Sequence, residues 1–422
     1  MVAVATQNYY EDTPIEPGAD DGTADIEADV DPAPHTPYQQ QTPHSPHAVQ
    51  RVTWAELFFD LVLVFAVTQV AHEVSVGAGW ADLGRSLLLF VPFWWAWVGC
   101  TIVFNGLVIS ATRRHLLLLA IAGAAFVMSI SVPGAYANRG VLFGGAYCAA
   151  RIMLAFTMRM RGAFRSGLNP FTVGLGAGPA WLLAGFAPAD VRQWIWLGIA
   201  LIELSVPIVL GHRLDYMQFD ASHLPERFGL FIIIALGETL VGIGQGGTLH
   251  PLKGVEAVAL FVAFLLSCGL WWTYFQYGAS AVEHALRTAK VPALLVRSSF
   301  SYGHMSFVIG IILAAAGMAQ AVAEPKAHLQ GMHALLLGSG VSLYLATFCY
   351  TRIMMFGGAS FFRAGAALLA IIITVFSPGL PALAPLAMLA ALVIALNAFE
   401  LYWVDAGRPL LVIKVWEGAA ED

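Results

Sequence analysis

Charge is what this sequence has least of. Only 11% of its 422 residues are Asp, Glu, Lys or Arg, while 58% are hydrophobic. Soluble domains carry about 25% charged residues, and a chain this apolar lacks the polar groups to cover a water-facing surface. That excludes an ordinary soluble globular protein. Cysteine is scarce as well. Cys100, Cys148, Cys268 and Cys349 all fall in apolar stretches, with no CxxC and no His/Cys pairing. A disulfide framework and a metal site are therefore not expected, and the four read as small buried packing residues. No basic face interleaved with aromatics marks a nucleic-acid partner. No Walker loop, dinucleotide fingerprint or catalytic triad is visible, so no cofactor is implied.

What charge there is lies unevenly. Residues 1–50 hold nine acids and no Lys or Arg, which leaves 21 basic against 18 acidic residues in the rest. The same fifty residues contain seven prolines and the run Gln39-Gln40-Gln41. Such a segment buries too little apolar area to offset its ordering entropy and is expected to be a disordered cytoplasmic tail. It lacks the basic start and short apolar core of a signal peptide. His35, His44 and His47 read as dispersed solvated histidines rather than metal ligands.

From Arg51 onward, apolar runs of membrane-spanning length recur, at roughly 52–72, 84–104, 115–133, 141–160, 171–187, 193–211, 228–247, 256–276, 297–321, 332–351, 360–377 and 382–403. A span needs about 20 mostly apolar residues, and in hydrocarbon only helix satisfies the backbone of such a run. The expectation is an all-α polytopic membrane protein of about twelve transmembrane helices. The fifth run is the weakest, broken by Gly174, Gly176, Gly178 and Pro179. With the N-terminus inside, fifteen Lys and Arg face the cytoplasm and five (Arg85, Arg139, Arg192, Lys253 and Lys326) face outward, with Arg151 left within a span. That asymmetry predicts both termini in the cytoplasm.

The two halves resemble each other. A shift of 178 aligns Phe59-Asp60 with Gly237-Glu238, His72 with His250 and Trp94 with Trp272; a shift near 197 aligns Tyr147 with Tyr344 and Glu203 with Glu400. Six spans per half give both the same orientation, hence like-oriented repeats over 51–220 and 221–406, followed by a short cytoplasmic tail at 407–422.

Ionisable groups inside spans cost about 2.5–3.5 kcal/mol each and mark function or internal pairing. Here they are Glu56, Asp60, Arg151, Glu203, Glu238, His304 and Glu400. Asp60 lies about 13 Å along the first helix from Arg51, with Glu56 one turn earlier on the same face. Arg151 is expected to pair with Asp60 or Glu203; its counterpart in the second half is Phe348, which would leave Glu238 unpaired and able to take up a proton. These carboxylates read either as an ion or proton site or as polar glue between helices. Arg297, Ser301 and His304 fall on one face of an α-helix. Gln69, His72 and Glu73 read as an outer vestibule or as an interfacial helix end. Gly242 and Gly246 form a GxxxG expected to pack closely, though unwinding beside Glu238 is the other reading. Trp94, Trp95, Trp97, Trp271 and Trp272 read as packing or interfacial anchors.

The stretch Trp54-Ala-Glu56-Leu-Phe-Phe59-Asp60, running on through Gln69 to His72, resembles the opening helix of the bacterial low temperature requirement protein A family. Glu226-Arg227 through Gly237-Glu238, Tyr302-Gly-His304-Met to Gly310, and the paired tryptophans are similar to its later landmarks. The resemblance covers most of residues 50–405. It implies a membrane protein linked by name to growth in the cold, and no defined activity. A fainter similarity joins Phe58-Phe59-Asp60 to the Phe-Ser-Asp of bacterial and lysosomal potassium or proton channels, with Phe in place of Ser.

The functional expectation is transport of a small solute or ion, with proton coupling as one form, and with membrane lipids as surroundings. Asp60 and Glu238 are the leading site residues. Competing readings are an intramembrane lipid-modifying enzyme and a non-transporting scaffold or sensor. A major-facilitator exporter fits the span count, but residues 105–114 lack the Asp-Arg pattern of that family.

Overall fold

Apolar runs that enter a bilayer close their own backbone hydrogen bonds, and in the computed structural model the described chain is almost entirely helical. The structure describes residues 52–105, 110–160, 167–214, 219–248, 254–276, 278–408 and 412–414. The expected tail at 1–50 and most of 407–422 lie outside the described residues.

The helices are α1 (Trp54–Val76), α2 (Trp80–Phe104), α3 (Ala111–Ser131), α4 (Gly140–Met160), α5 (Pro170–Ala184), α6 (Ala189–Leu210), α7 (His223–Thr248), α8 (Gly254–Phe275), α9 (Gly278–Thr288), α10 (Pro292–Leu295), α11 (His304–Ala323), α12 (Gly331–Phe356), α13 (Phe361–Phe376) and α14 (Leu383–Asp405). A π-helical segment, Val296–Gly303, joins α10 to α11. Ten helices among the described residues are long and apolar enough to cross a membrane, with Pro292–Ala323 counted as one. The fifth and eleventh of the twelve expected spans are α5 and α13, of 15 and 16 residues. At 1.5 Å per residue each is about 23 Å long, short of a hydrocarbon core of about 30 Å.

Local sequence explains both late starts. Asn169 caps α5, accepting from the N–H groups of Phe171 and Thr172, and Pro170 takes the first helical position. Before α13, α12 stops at Gly357, whose φ of 73° is the left-handed conformation glycine tolerates. The chain then enters a three-residue strand, β1 (Gly358–Ser360), paired antiparallel with β2 (Val412–Lys414). This small sheet departs from the all-α expectation; three-residue strands carry no readable periodicity.

The helices pack in a recurring order. In the first half α1 lies against α2 and α3, α3 against α4, α4 against α5 and α5 against α6; in the second, α7 lies against α8 and α11, α11 against α12, α12 against α13 and α13 against α14. The halves meet where α1 packs on α7 and α11. A single apolar cluster runs through both, from Phe59 and Trp97 to Val341 and Val393. Small residues set the closest approaches. A methyl on Gly317 or Gly340 would overlap the backbone of the facing helix at Leu337 or Ala314, and one on Gly144 would strike the backbone at Trp181. Large apolar side chains such as Phe156, Leu201, Ile208, Phe261, Leu368 and Phe376 face outward, as lipid contact requires. Cys100 and Cys148 are buried as expected, but Cys268 is exposed on α8; all four cysteines are free.

Candidate functional site

Among the described residues, three buried carboxylate–arginine clusters interrupt the apolar bundle. The first begins with the opening of α1. Thr53 and Glu56 form a capping box: the Thr53 N–H donates to Glu56 Oε2 at 2.9 Å, and Thr53 Oγ1 accepts from the Glu56 N–H. The same carboxylate accepts from Arg114 Nη2 at 2.5 Å and Arg227 Nη1 at 3.2 Å. Asn105 Nδ2 lies 3.2 Å from His223 Nδ1, and Asn105 Oδ1 accepts from the Asp220 N–H. His223 thus accepts at Nδ1 and turns Nε2–H toward Glu56 Oε2, at 3.4 Å. One turn further, Asp60 Oδ1 accepts from Trp97 Nε1 at 2.6 Å and Arg227 Nη2 at 3.3 Å. The Arg227 guanidinium also stacks near the rings of Phe59 and Trp97. Two carboxylates face two arginines, so the cluster balances its charge. It ties α1, α2, α3 and α7 together, with Glu56, Asp60, His223 and Arg227 all fully buried.

The second cluster stands on α4 and α6. Glu203 Oε1 accepts from the Tyr147 hydroxyl at 2.6 Å, and Oε2 from Trp181 Nε1 at 3.0 Å. Arg151 Nη2 approaches Oε1 at 3.4 Å, and Arg151 Nε donates to the Gly174 carbonyl at 3.2 Å. The broken fifth run now has a cause. A methyl at Gly174 would occupy the Arg151 guanidinium, and one at Gly178 would meet Arg151 Cβ at 3.1 Å, so these glycines make room for the arginine. The pair borders a cavity walled by α2, α4, α5 and α6, whose other side carries Arg297 and Ser301.

The third cluster stands on α13 and α14. Arg363 grips Glu400 with two bonds, Nε to Oε1 at 2.8 Å and Nη2 to Oε2 at 2.9 Å. Its guanidinium lies over the Phe348 ring, 4.5 Å from the centroid. Phe348 is the residue that aligns with Arg151, so in this half the arginine comes from the next helix and the aromatic lies beneath it. A cavity opens beside this pair, lined also by Tyr274, Ser299, His304 and Arg352. His304 Nδ1–H donates to the Ser299 carbonyl at 2.9 Å, leaving Nε2 to accept from the Tyr274 hydroxyl at 2.7 Å.

The π segment separates the two cavities. Its wider turn shifts carbonyls off the α-helical ladder, and side chains take them up. Ser301 Oγ donates to Val296 O, His304 to Ser299 O and Trp94 Nε1 to Ser301 O. This corrects the α-helical reading of Arg297, Ser301 and His304. The first two line one cavity and His304 lines the other, because a π turn rotates the residues beyond it off the shared face.

Arg151 pairs with Glu203 rather than with Asp60. Glu238 sits in α7, but its side chain lies outside the described residues. His72 lines a cavity between α1, α7 and α11, together with Thr68, Ser75 and Thr239; Gln69 and Glu73 do not. Gly242 borders that same cavity, and a methyl there would meet nothing within 4 Å, so the expected close packing at the Gly242 end of GxxxG is not found. Sequence reasoning missed Arg114, Arg227 and Arg363 as site residues, counting them as cytoplasmic charges. It also treated Arg192 as an outer-face charge, whereas its guanidinium is buried against the carbonyls of Ala135, Ala137 and Ala187. One signal was present: His223 and Arg227 are four residues apart at the mouth of an apolar run, hence on one helical face.

Two separated stretches thus converge, with Glu56 and Asp60 from the opening of α1 meeting Arg227 from the opening of α7. The family model for the bacterial low temperature requirement A protein (LtrA) matches residues 51–398. The chain belongs to the bacterial low temperature requirement A family. The match takes in all three polar clusters except Glu400. The chain is also similar to an uncharacterized protein of Rhizobium meliloti (strain 1021), 29% identical over 292 residues, covering 65% of this chain and 70% of that one. No solved structure matches it. This low temperature requirement A protein is an integral membrane protein by its family and its helices.

Proposed function

We propose that this family member transports a small solute or ion across the bacterial inner membrane, with the cavity beside Arg151 and Glu203 as its substrate site. The carrying observation is that cavity: a space inside a membrane-embedded bundle, bordered by an arginine and a carboxylate. Ionisable side chains at this depth are expensive unless they serve a polar pathway or pair internally. Small-ligand sites are concave and mostly apolar, with a few polar groups that fix orientation.

In this reading the chain crosses the membrane twelve times as two like-oriented halves, with both ends in the cytoplasm. The recurring neighbour order of the helices supports the repeat. So does the position of α5 and α13, short helices at the same place in each half. Each borders a cavity that holds an Arg–Glu pair. Shortened segments at matching positions are where transporters built from repeats place their binding sites. The excess of Lys and Arg on one side supports the orientation. Glu56 and Asp60, closed off by arginines, hold α1, α3 and α7 together. His304 and Glu400 border the second cavity.

The test is solid-supported-membrane electrophysiology on proteoliposomes, against a panel of small organic anions, amino acids and monovalent cations, run with and without a pH gradient. At least one class should give a saturable current that Arg151→Gln and Glu203→Gln each abolish. Currents no larger than those of empty liposomes across the panel would sink the transport reading.

A further inference from the structure

We infer that the cavity between α2, α4, α5, α6 and the π segment binds an amphipathic organic monoanion: one carboxylate or phosphate-type oxyanion carried on an apolar body. The inference rests on the transport reading only for the fate of the ligand.

Among the described residues three charged side chains line this cavity, Arg151, Arg297 and Glu203, and together they carry one excess positive charge. Glu203 is committed. Its two oxygens accept from Tyr147 and Trp181 at 2.6 and 3.0 Å, closer than Arg151 approaches at 3.4 Å. Arg297 has no carboxylate partner among the described residues. Gly211 leaves it space: a methyl there would fall on the Arg297 guanidinium. The Ser301 hydroxyl, nearby on the same wall, spends its proton on Val296 O and presents only an acceptor oxygen. The rest of the wall is mainly apolar, including Trp95, Ile102, Phe171, Val173, Pro207 and Phe219.

A guanidinium stays charged at any working pH. Partly buried beside apolar side chains, with no carboxylate partner among the described residues, it is costly. A cation would add to the excess, and a neutral solute would leave it uncompensated. An oxyanion cancels it, and the guanidinium fork matches a carboxylate or phosphate group with paired bonds. The apolar wall then takes the body of the ligand. Such an oxyanion comes either from a free organic acid or from a lipid headgroup.

The experiment is isothermal titration of the full-length protein in phosphatidylcholine nanodiscs with three probes of equal chain length: octanoate, octanamide and octylammonium. Octanoate should bind saturably at one site, with octanamide at least tenfold weaker and octylammonium not bound. Arg297→Gln should weaken octanoate at least tenfold while Arg297→Lys restores part of the loss. Val173→Trp, which fills the cavity from α5, should abolish binding. Should Arg297→Gln fail to fold, Val173→Trp and the probe comparison decide. Nanodiscs containing one third phosphatidylglycerol distinguish the sources. Weaker octanoate binding there assigns the site to a lipid headgroup, and unchanged binding assigns it to a free acid; either supports the oxyanion site. Equal affinity for octanoate and octanamide, no octanoate binding in phosphatidylcholine, or unchanged affinity in both Arg297→Gln and Val173→Trp overturns it. Because binding is read without flux, specific octanoate binding with no transport current would overturn the transport reading alone.

Discussion

Asp60 and Arg227 are 167 residues apart in the chain and 3.3 Å apart at Oδ1 and Nη2, with neither side chain exposed. Removing one partner of a buried ion pair leaves the other charge stranded, at a cost of about 3–5 kcal/mol. Arg227→Met strands Asp60, while Glu56 keeps Arg114, and should sharply lower the thermal unfolding temperature in detergent. Adding Asp60→Asn should restore part of the loss. If the double variant unfolds at or below the temperature of Arg227→Met, the two residues are not coupled as the geometry requires.

Gly174 and Gly176 offer a matched contrast one half-turn apart. Gly174→Ala collides with the Arg151 guanidinium, whereas an alanine at Gly176 meets nothing within 4 Å. Gly174→Ala is expected to destabilise by about 1–3 kcal/mol, the range for overpacking. Gly176→Ala should be neutral or slightly stabilising, since alanine is the better helix former. Melting curves of the two single variants decide it; the same temperature loss in both would remove the steric account of the fifth helix.

The Arg363–Glu400 pair is bidentate and stacked on Phe348. Lysine keeps the charge but neither the fork nor the flat face. Arg363→Lys should therefore cost about 1.5–3 kcal/mol, the range for a hydrogen bond to a charged group. Heat-induced aggregation followed by fluorescent size-exclusion chromatography would register this, and wild-type behaviour of the lysine variant would count against it.

Asp220 sets up the entry to α7, accepting from the Ser222 hydroxyl at 2.6 Å and from the N–H groups of Ser222 and His223. Burial opposes its ionisation, but these hydrogen bonds outweigh burial and hold the carboxyl below the usual range. A carboxyl with a lowered folded-state pKa stabilises above its unfolded pKa of about 3.9, and that contribution is lost as pH falls through the folded value. Asp220→Asn should thus be less stable than the wild type at pH 7, by about 1 kcal/mol as for a helix-start cap. The gap should close as pH drops below about 4. A gap that widens on acidification would reverse the assignment.

The membrane character and most helices were legible because hydrocarbon leaves an apolar run only one conformation. Glu56, Asp60, Arg151, Glu203, His304 and Glu400 stood out because each interrupts such a run. Their partners did not. Arg114, Arg227 and Arg363 sit near the ends of runs, where an arginine reads as a loop charge, and only packing draws the guanidinium inward to a carboxylate on another helix. The π segment was equally invisible. Arg297, Ser301 and His304 read as one α-helical face, and the wider turn is selected by tertiary partners such as Trp94.

Composition and run length by themselves determined that this chain lives in a bilayer as helices, because transfer free energy is a property of each residue type summed along the chain. Which charge meets which was decided by the tertiary structure alone. Ion-pair energy depends on distances between residues as far apart as Glu56 and Arg227, and no local pattern encodes those distances.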